Sequence, residues 1–333
     1  MNTNTKAVVR IFLFLLFGVL YASGLMLYSH SRESHNDAWN KEKYESAGSS
    51  EDRNNRHYEK SFSVKEGGEL ILIADAGDIK INSWEKNEVQ VLVDLRGSDS
   101  RVEKYTVEFN QEGGKVSILG RTKDRSFFQW NFGSLEVKYT IMLPKNFNTD
   151  LKSSGGDISV QNVNGTLKGK TSGGNITLES LNGNVEIKTS GGEVEISTVT
   201  GNIDAHTSGG NVRIEKVIGD ISAGSSGGNI EVYDASGNIK TKTSGGDIKL
   251  KLSGDNKGID AKTSGGDITL YINENISATV DAETSGGSVN CELPVTVKGK
   301  VERSELHGKI NGGGNPIRLE TSGGDIRISA LKK

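Results

Sequence analysis

The sequence predicts an all-β protein: a single-stranded parallel β-helix, or β-solenoid, with 18-residue rungs, preceded by a β-rich N-terminal region and one transmembrane helix. Three observations predict it. The triplet Ser-Gly-Gly recurs every 18 residues, aliphatic residues alternate with polar ones after each triplet, and an uncharged apolar run lies near the N-terminus. The 333 residues therefore divide into four segments, which are 1–28, 29–60, 61–150 and 151–333.

Residues 1–28 are predicted to form a short basic head and a transmembrane anchor. The run from Ile11 to Tyr28 contains no charge, and a helix of this length is long enough to cross a bilayer. A cleaved signal peptide, cut near Ala22 or Ser23, is the alternative. Basic residues flank both ends of the run, so the positive-inside rule does not decide its orientation. We expect an exported solenoid, periplasmic or at the cell surface, with a cytoplasmic solenoid as the alternative.

Residues 29–60 are predicted to be a flexible polar tether. The segment is rich in charged residues and almost free of aliphatic ones. Such a composition buries too little apolar surface to offset the entropy lost on ordering.

Residues 61–150 are predicted to be a β region that includes the start of the solenoid. Strands at 104–109 and 115–119 are expected to form a hairpin with a five-residue loop, NQEGG. The stretch SFFQWNFGS at 126–134 concentrates aromatic residues and is the candidate partner-binding loop. It either caps the first rung or forms an adhesive tip that contacts a partner. Its aromatic residues are Phe127, Phe128, Trp130 and Phe132.

Residues 151–333 are predicted to be the solenoid of TSGG repeats. Each Gly-Gly pair is expected to form a structural corner, because glycine adopts positive φ without steric cost. The preceding Thr or Ser is expected to bond its own backbone or the next rung, and the following Asp or Asn to form a ladder. Nine triplets predict about nine rungs. The regularly spaced first glycines are Gly155, Gly173, Gly191, Gly209, Gly227 and Gly245.

The aliphatic columns predict where the core lies. Because side chains alternate along a strand, residues two apart face the same side of a sheet. We therefore expect the aliphatic columns to meet inside the solenoid and the charged residues between them to face water. The first such column is Ile158, Ile176, Val194, Val212, Ile230 and Ile248.

Patterns that carry chemistry are sparse. No GxSxG, HExxH or P-loop sequence occurs. Cys291 is the single cysteine, and Tyr233 and Tyr271 are the only aromatic residues of 151–333, few for a sugar-binding platform. No catalytic residue, metal ligand or cofactor is therefore predicted. The net charge of −3 gives no general attraction to nucleic acid.

Three stretches resemble the bacterial "putative adhesin" family, whose function is unknown. They are ELILIADAGDIKINSWEKNEVQV at 69–91, LEVKYTIMLPKN at 135–146 and SSGGDISVQNVNGTLKGKTSGGNITL at 153–178. The resemblance covers about 61–333 and implies a membrane anchor, a parallel β-solenoid and a surface or envelope role in adhesion or scaffolding. The repeat is also similar to that of polymer-forming bactofilins, which implies end-to-end assembly.

The leading functional prediction is a non-enzymatic, membrane-tethered solenoid that acts as an adhesin-like binding or scaffold module of the bacterial envelope. Its expected partners are an envelope protein or glycan, and the membrane itself through the N-terminal helix. One alternative is a self-assembling scaffold that polymerises through its solenoid ends, because the C-terminal ISALKK shows no cap. The other is an envelope polysaccharide-degrading β-helix enzyme, which requires an acidic cluster across adjacent rungs.

Overall fold

Two large sheets, one of 13 strands and one of 14, make up the fold. They are present in a computed structural model that describes residues 55–123, 135–298 and 302–331, all within one compact unit, Ser46–Lys333. The predicted anchor at 1–28 lies outside the described residues, as does most of the tether. Within the described part, no helix has the length and apolarity needed to cross a bilayer. The described protein is all-β with largely parallel sheets, as expected for a solenoid.

Between residues 148 and 297 successive strands alternate between the two sheets. The first part of the chain contains β1 Asn55–Ser63, β2 Glu69–Ala74, β3 Asp78–Trp84, β4 Glu88–Gly97, α1 Asp99–Val102, β5 Tyr105–Glu112, β6 Lys115–Thr122, β7 Leu135–Pro144 and β8 Asn148–Ser153. The regular repeats contain β9 Ile158–Gln161, β10 Leu167–Lys170, β11 Ile176–Asn182, β12 Val185–Lys188, β13 Val194–Thr200, β14 Ile203–His206, β15 Val212–Ile218, β16 Ile221–Gly224, β17 Ile230–Ser236 and β18 Ile239–Lys242. The last part contains β19 Ile248–Leu252, β20 Ile259–Lys262, β21 Ile268–Ile272, β22 Ala278–Thr284, β23 Val289–Cys291, β24 Val295–Val297, β25 Glu305–Ile310, β26 Asn315–Thr321 and β27 Ile326–Ala330.

Each rung consists of one strand from each sheet. Sheet A has the order β1-β4-β7-β3-β9-β11-β13-β15-β17-β19-β21-β27-β23, and sheet B the order β24-β25-β22-β26-β20-β18-β16-β14-β12-β10-β8-β2-β6-β5. Ile176, Val194 and Val212 are register partners in successive parallel strands. The predicted 18-residue stacking is therefore confirmed. All nine Ser-Gly-Gly triplets connect a strand of sheet B to a strand of sheet A.

The core lies between the two sheets and is formed by the predicted columns. Members of the column that starts at Ile158 are at most 1% exposed. Within β11, both Leu178 and Leu181 are buried although they are three residues apart. Ser180 between them has φ 56°, and this left-handed residue interrupts the alternation. Residues with the same conformation recur once per rung at Asn162, Ser180, Thr198, Lys216 and Asp234.

The N-terminal boundary differs from the predicted one. Strand β1 begins at Asn55 rather than at residue 61, because it pairs antiparallel with β4 over nine residues. Tyr58 packs its ring 6.5 Å from that of Phe109, and Phe62 is buried in the core. The last part of the predicted tether therefore belongs to the folded unit.

The predicted hairpin is confirmed, but its loop is shorter than expected. Strands β5 and β6 pair antiparallel up to Glu112 and Lys115. Only Gly113 and Gly114 remain in the loop, and Gly113 has φ 59°. The strands extend further than the sequence suggests because the polar residues 110–112 also pair.

Rungs at both ends of the stack are not in chain order. The pair β2–β3 lies between β6–β7 and β8–β9, and the pair β26–β27 lies between β20–β21 and β22–β23. The prediction that the C-terminal ISALKK is an uncapped end is therefore wrong, because β23 pairs with the outer side of β27. Antiparallel strands pair with the outermost rungs: β4 with β7, β5 with β6, and β25 with β22, whereas β23 is an edge strand of sheet A.

Candidate functional site

The predicted glycines Gly155 to Gly245 lie at the corners, but close approach requires glycine at the second position of each pair rather than at these first positions. None of the glycines of the nine triplets has positive φ, so the predicted conformational reason is wrong. The second glycine of each pair is required instead by close approach: a β-carbon on Gly174 would lie 2.1 Å from the Gly156 carbonyl oxygen. The first glycines have room, since a β-carbon on Gly173 would lie 3.7 Å from its nearest neighbour, and one on Gly155 would meet nothing within 4 Å.

Hydrogen bonds within and between rungs account for the rest of the TSGG motif. The buried Thr171 hydroxyl donates to the Gly156 carbonyl oxygen of the neighbouring rung at 2.8 Å, and it accepts from the Gly174 amide at 3.4 Å. The Asn175 amide donates to the Asp157 carboxylate at 2.7 Å. In the next rung, the side-chain oxygen of Asn175 accepts a hydrogen bond from the backbone amide of Glu193 at 2.8 Å. The predicted ladder is therefore present and stabilises the corner.

The candidate partner-binding loop remains a prediction. Phe127, Phe128, Trp130 and Phe132 lie outside the described residues. The strands on either side of the loop, β6 and β7, belong to the outermost rung at the N-terminal end of the stack.

The structure brings together the two tyrosines of the repeat, which the sequence analysis had considered too few. Tyr233, Lys251 and Tyr271 occupy the same position on three adjacent parallel strands of sheet A, β17, β19 and β21. With Lys249 and Arg327 they line a shallow concavity of about 590 Å³ on the outer face of the sheet. We call these five residues the Tyr–Lys face. Other lining residues are Glu292, Ser329, Ala330 and Leu331.

Cations lie close to both tyrosine rings. The Arg213 guanidinium lies 4.8 Å from the centre of the Tyr233 ring, and the Lys249 Nζ 5.8 Å from that of Tyr271. Arg213 is itself bound by Glu231 at 2.5 Å and by Glu215. Partial burial, followed by the neighbouring Glu231, raises the pKa of Tyr233. The Tyr233 phenol is therefore neutral near pH 7 and presents an uncharged ring.

A simple signal in the sequence could have identified this face. Tyr233 and Lys251 both follow the first glycine of their corner by six residues, as Tyr271 follows Gly265. Counting from each corner, rather than along the chain, puts the three side chains in one row despite the irregular spacing after residue 250. The sequence analysis counted aromatic residues without aligning them.

A second polar cluster lies on the outer face of sheet B, where His307 of β25 faces Asp281 of β22. The His307 Nδ1 lies 2.7 Å from Asp281 Oδ1, and its Nε2 lies 3.5 Å from Glu305 and 3.7 Å from Glu283. Asp281, Glu283 and His307 offer ligand atoms within 4.8 Å of one another, so this set could hold a metal ion. The sequence does not reveal this cluster, because Asp281 and Glu283 precede His307 by more than twenty residues and only Glu305 is close to it along the chain.

The charge of the histidine itself explains the cluster without a metal. Slight desolvation lowers the pKa of His307, but contact with Asp281 and the charges of Glu305 and Glu283 raise it by more, and the net shift is upward. A protonated imidazole therefore neutralises part of the repulsion between the carboxylates, two of which face each other directly across the strands.

Comparisons with known proteins support the resemblance stated from the sequence. The family model "Toastrack DUF4097" matches residues 69–329. A solved structure of a "putative adhesin" from Bacteroides fragilis is 16% identical, with 83% of this chain and 97% of that chain covered and a TM-score of 0.37. A "putative adhesin" from Parabacteroides distasonis is 12% identical, with 82% and 97% covered and a TM-score of 0.44. A "putative lipid binding protein" from the same organism is 15% identical, with 83% and 97% covered and a TM-score of 0.29. No curated protein matches the chain.

Proposed function

The chain belongs to the Toastrack DUF4097 family, and from this premise we propose that it is a non-enzymatic, adhesin-like binding module that an N-terminal transmembrane helix tethers to the bacterial envelope. The uncharged run 11–28 supports the tethering, and the polar segment that follows supports a spacer between membrane and solenoid.

The Tyr–Lys face is the observation that carries a binding role. It combines two aromatic rings with three cationic side chains on a sheet whose strands are fixed by parallel pairing on both sides. Rigid strands hold side chains for recognition with little loss of entropy on binding. The aromatic stretch that contains Phe127 and Trp130 is a second candidate contact.

The enzyme alternative is less well supported by the described residues. Desolvation raises the pKa of Cys291, which opposes thiolate formation. The carboxylates around His307 are about half exposed. A general acid for glycan cleavage is instead a carboxyl group whose surroundings raise its pKa, so that it stays protonated.

The polymer alternative is also less well supported. Antiparallel strands cover both sheets of the outermost rung at the N-terminal end, so a second copy would not meet a bare parallel rung there. At the other end they cover β22 of sheet B, while β23 is the edge strand of sheet A. The edge strand β1 contains the charged residues Arg56, Glu59 and Lys60. Charged residues on an edge strand commonly prevent edge-to-edge pairing.

Cosedimentation with isolated envelope fragments tests the proposed function. We expect the full-length chain, purified in detergent, to bind the fragments saturably. The double variant Tyr233→Ala/Tyr271→Ala should bind the fragments weakly. A Phe127→Ala/Trp130→Ala variant measures whether the aromatic loop contributes to this binding. Absence of saturable binding by the wild-type chain would refute the proposal. Protease accessibility in intact cells tests the export of the solenoid.

A further inference from the structure

We propose that the Tyr–Lys face binds an acidic polysaccharide, with sugar rings against Tyr233 and Tyr271 and a carboxylate against Lys251. This inference rests on the proposed function, since it assigns a ligand class to the same surface. Three features carry it: the spacing of the rings, the unpaired cations and the charge of the surrounding sheet.

The spacing of the two rings suits an extended chain of rings. Tyr233 and Tyr271 lie on strands β17 and β21, which are separated by β19 alone, so their backbones are about 9.6 Å apart. Lys251 lies midway between them in the same row. The concavity between the two rings is shallow and open, so a linear polymer can lie in it across the strands. It is not deep enough to enclose an acyl chain.

The cations of the face form no direct ion pair with a described carboxylate, although the charge of Arg327 contributes to the lowered pKa of Asp325. Among the described residues, no carboxylate lies within 4.0 Å of the side-chain nitrogens of Lys249, Lys251 or Arg327. Arg213 differs, because Glu215 and Glu231 already neutralise it. Lys249 and Lys251 are therefore available to an anionic ligand, and Arg327 adds positive charge beside them. One carboxylate, Glu292, also lines the concavity.

The charge of the neighbouring rungs limits which anion fits. In the row of Lys251, the equivalent positions of earlier rungs include Glu179 and Glu215. Double-stranded DNA carries one charge per ~1.7 Å and would need a long basic track, which these glutamates interrupt. A polysaccharide with one carboxylate per sugar or per few sugars matches a short basic patch between two rings. The observations therefore favour an acidic glycan over a nucleic acid.

Polygalacturonate and its methyl ester test the proposal, because they share one backbone and differ in charge. We expect the full-length chain to bind polygalacturonate by calorimetry, and to bind it less tightly as the salt concentration rises. The methyl ester should bind at least tenfold more weakly, a difference of about 1.4 kcal/mol. Equal affinity for the two polymers, or no binding of polygalacturonate, would overturn the proposal.

Matched variants assign the binding to the face. Tyr271→Ala and Lys251→Gln should each weaken binding by about fivefold to tenfold, as expected for loss of one stacking or ionic contact. Tyr271→Phe keeps the ring and should bind like wild type, and so should Lys242→Gln, which alters an exposed lysine of sheet B. Equal losses in Lys242→Gln and Lys251→Gln would show that binding is nonspecific and would refute the assignment.

The envelope assay separates the two proposals. If wild type and Tyr233→Ala/Tyr271→Ala bind envelope fragments equally well, the face is not the binding surface, and this inference fails while the proposed function stands. If wild type binds no fragments at all, both fail. If polygalacturonate competes with the fragments for wild type, the inference is supported.

Discussion

A β-carbon on Gly192 would lie 1.9 Å from the carbonyl oxygen of Gly174 in the neighbouring rung, although these two glycines are 18 residues apart. At the adjacent Gly191 the nearest atom, the Gly173 carbonyl oxygen, would be 3.6 Å away. Two consecutive glycines of one corner therefore have different roles. Only the second sets how closely the backbones of successive rungs approach.

Gly192→Ala should destabilise the fold by about 1–3 kcal/mol, because the methyl group forces two stacked backbones apart. Gly191→Ala is the matched control and should change the free energy of unfolding by less than about 0.5 kcal/mol, since its methyl group has room. Urea denaturation followed by circular dichroism measures both. Equal losses in the two variants would show that close approach is not the reason for the second glycine.

Thr198→Asn should stabilise the protein by about 0.5–1 kcal/mol, because Thr198 has φ 57° and β-branched residues tolerate this conformation poorly, whereas asparagine adopts it more readily. The reverse change in the same column, Asn162→Thr, should destabilise the protein by a similar amount. Thermal unfolding of both variants checks the pair. Changes of the same sign at the two sites would contradict the conformational explanation.

Glu193→Asn should extend the corner ladder. At this position the glutamate carboxylate accepts from the Asn211 side chain at 3.1 Å, whereas Asn229 in the ladder accepts from the Asp247 amide at 2.8 Å. A shorter acceptor at 193 should add a bond to the Asn211 amide and stabilise the fold by about 0.5–1.5 kcal/mol. As a control, Asn229→Ala should lose a similar amount. No gain in Glu193→Asn would mean that the ladder contributes little.

His307→Gln should destabilise the protein at acidic pH and have little effect at alkaline pH. Since the pKa of folded His307 is raised above its ordinary 6.5, the stabilisation is fully present below about 6.5 and is lost as the pH rises through the raised value. The free energy of unfolding of wild type and variant should therefore converge with increasing pH. The same measurement in the Glu283→Gln/Glu305→Gln background should show a weaker pH dependence, and an unchanged dependence there would refute the role of these carboxylates.

Much of the fold follows from patterns within one rung. The buried column from Ile158 to Ile248 and the corner at Thr171 were predictable, because side-chain alternation and glycine spacing are local properties repeated many times. The Tyr–Lys face was predictable in principle, since Tyr233, Lys251 and Tyr271 share their distance from a corner, but it required alignment of rungs of unequal length. The pairing of His307 with Asp281 could not be predicted from the sequence, because β25 lies outside the repeat and pairs antiparallel with β22.

The sequence by itself determined that 18-residue units stack in register, because a slip of one residue would expose each aliphatic column to water. Only the tertiary structure decided the order of the rungs at the two ends, where β2–β3 and β26–β27 are inserted out of chain order. Similar strands offer similar backbone bonds to several neighbours. The choice among them is a property of the whole stack, which no single repeat contains.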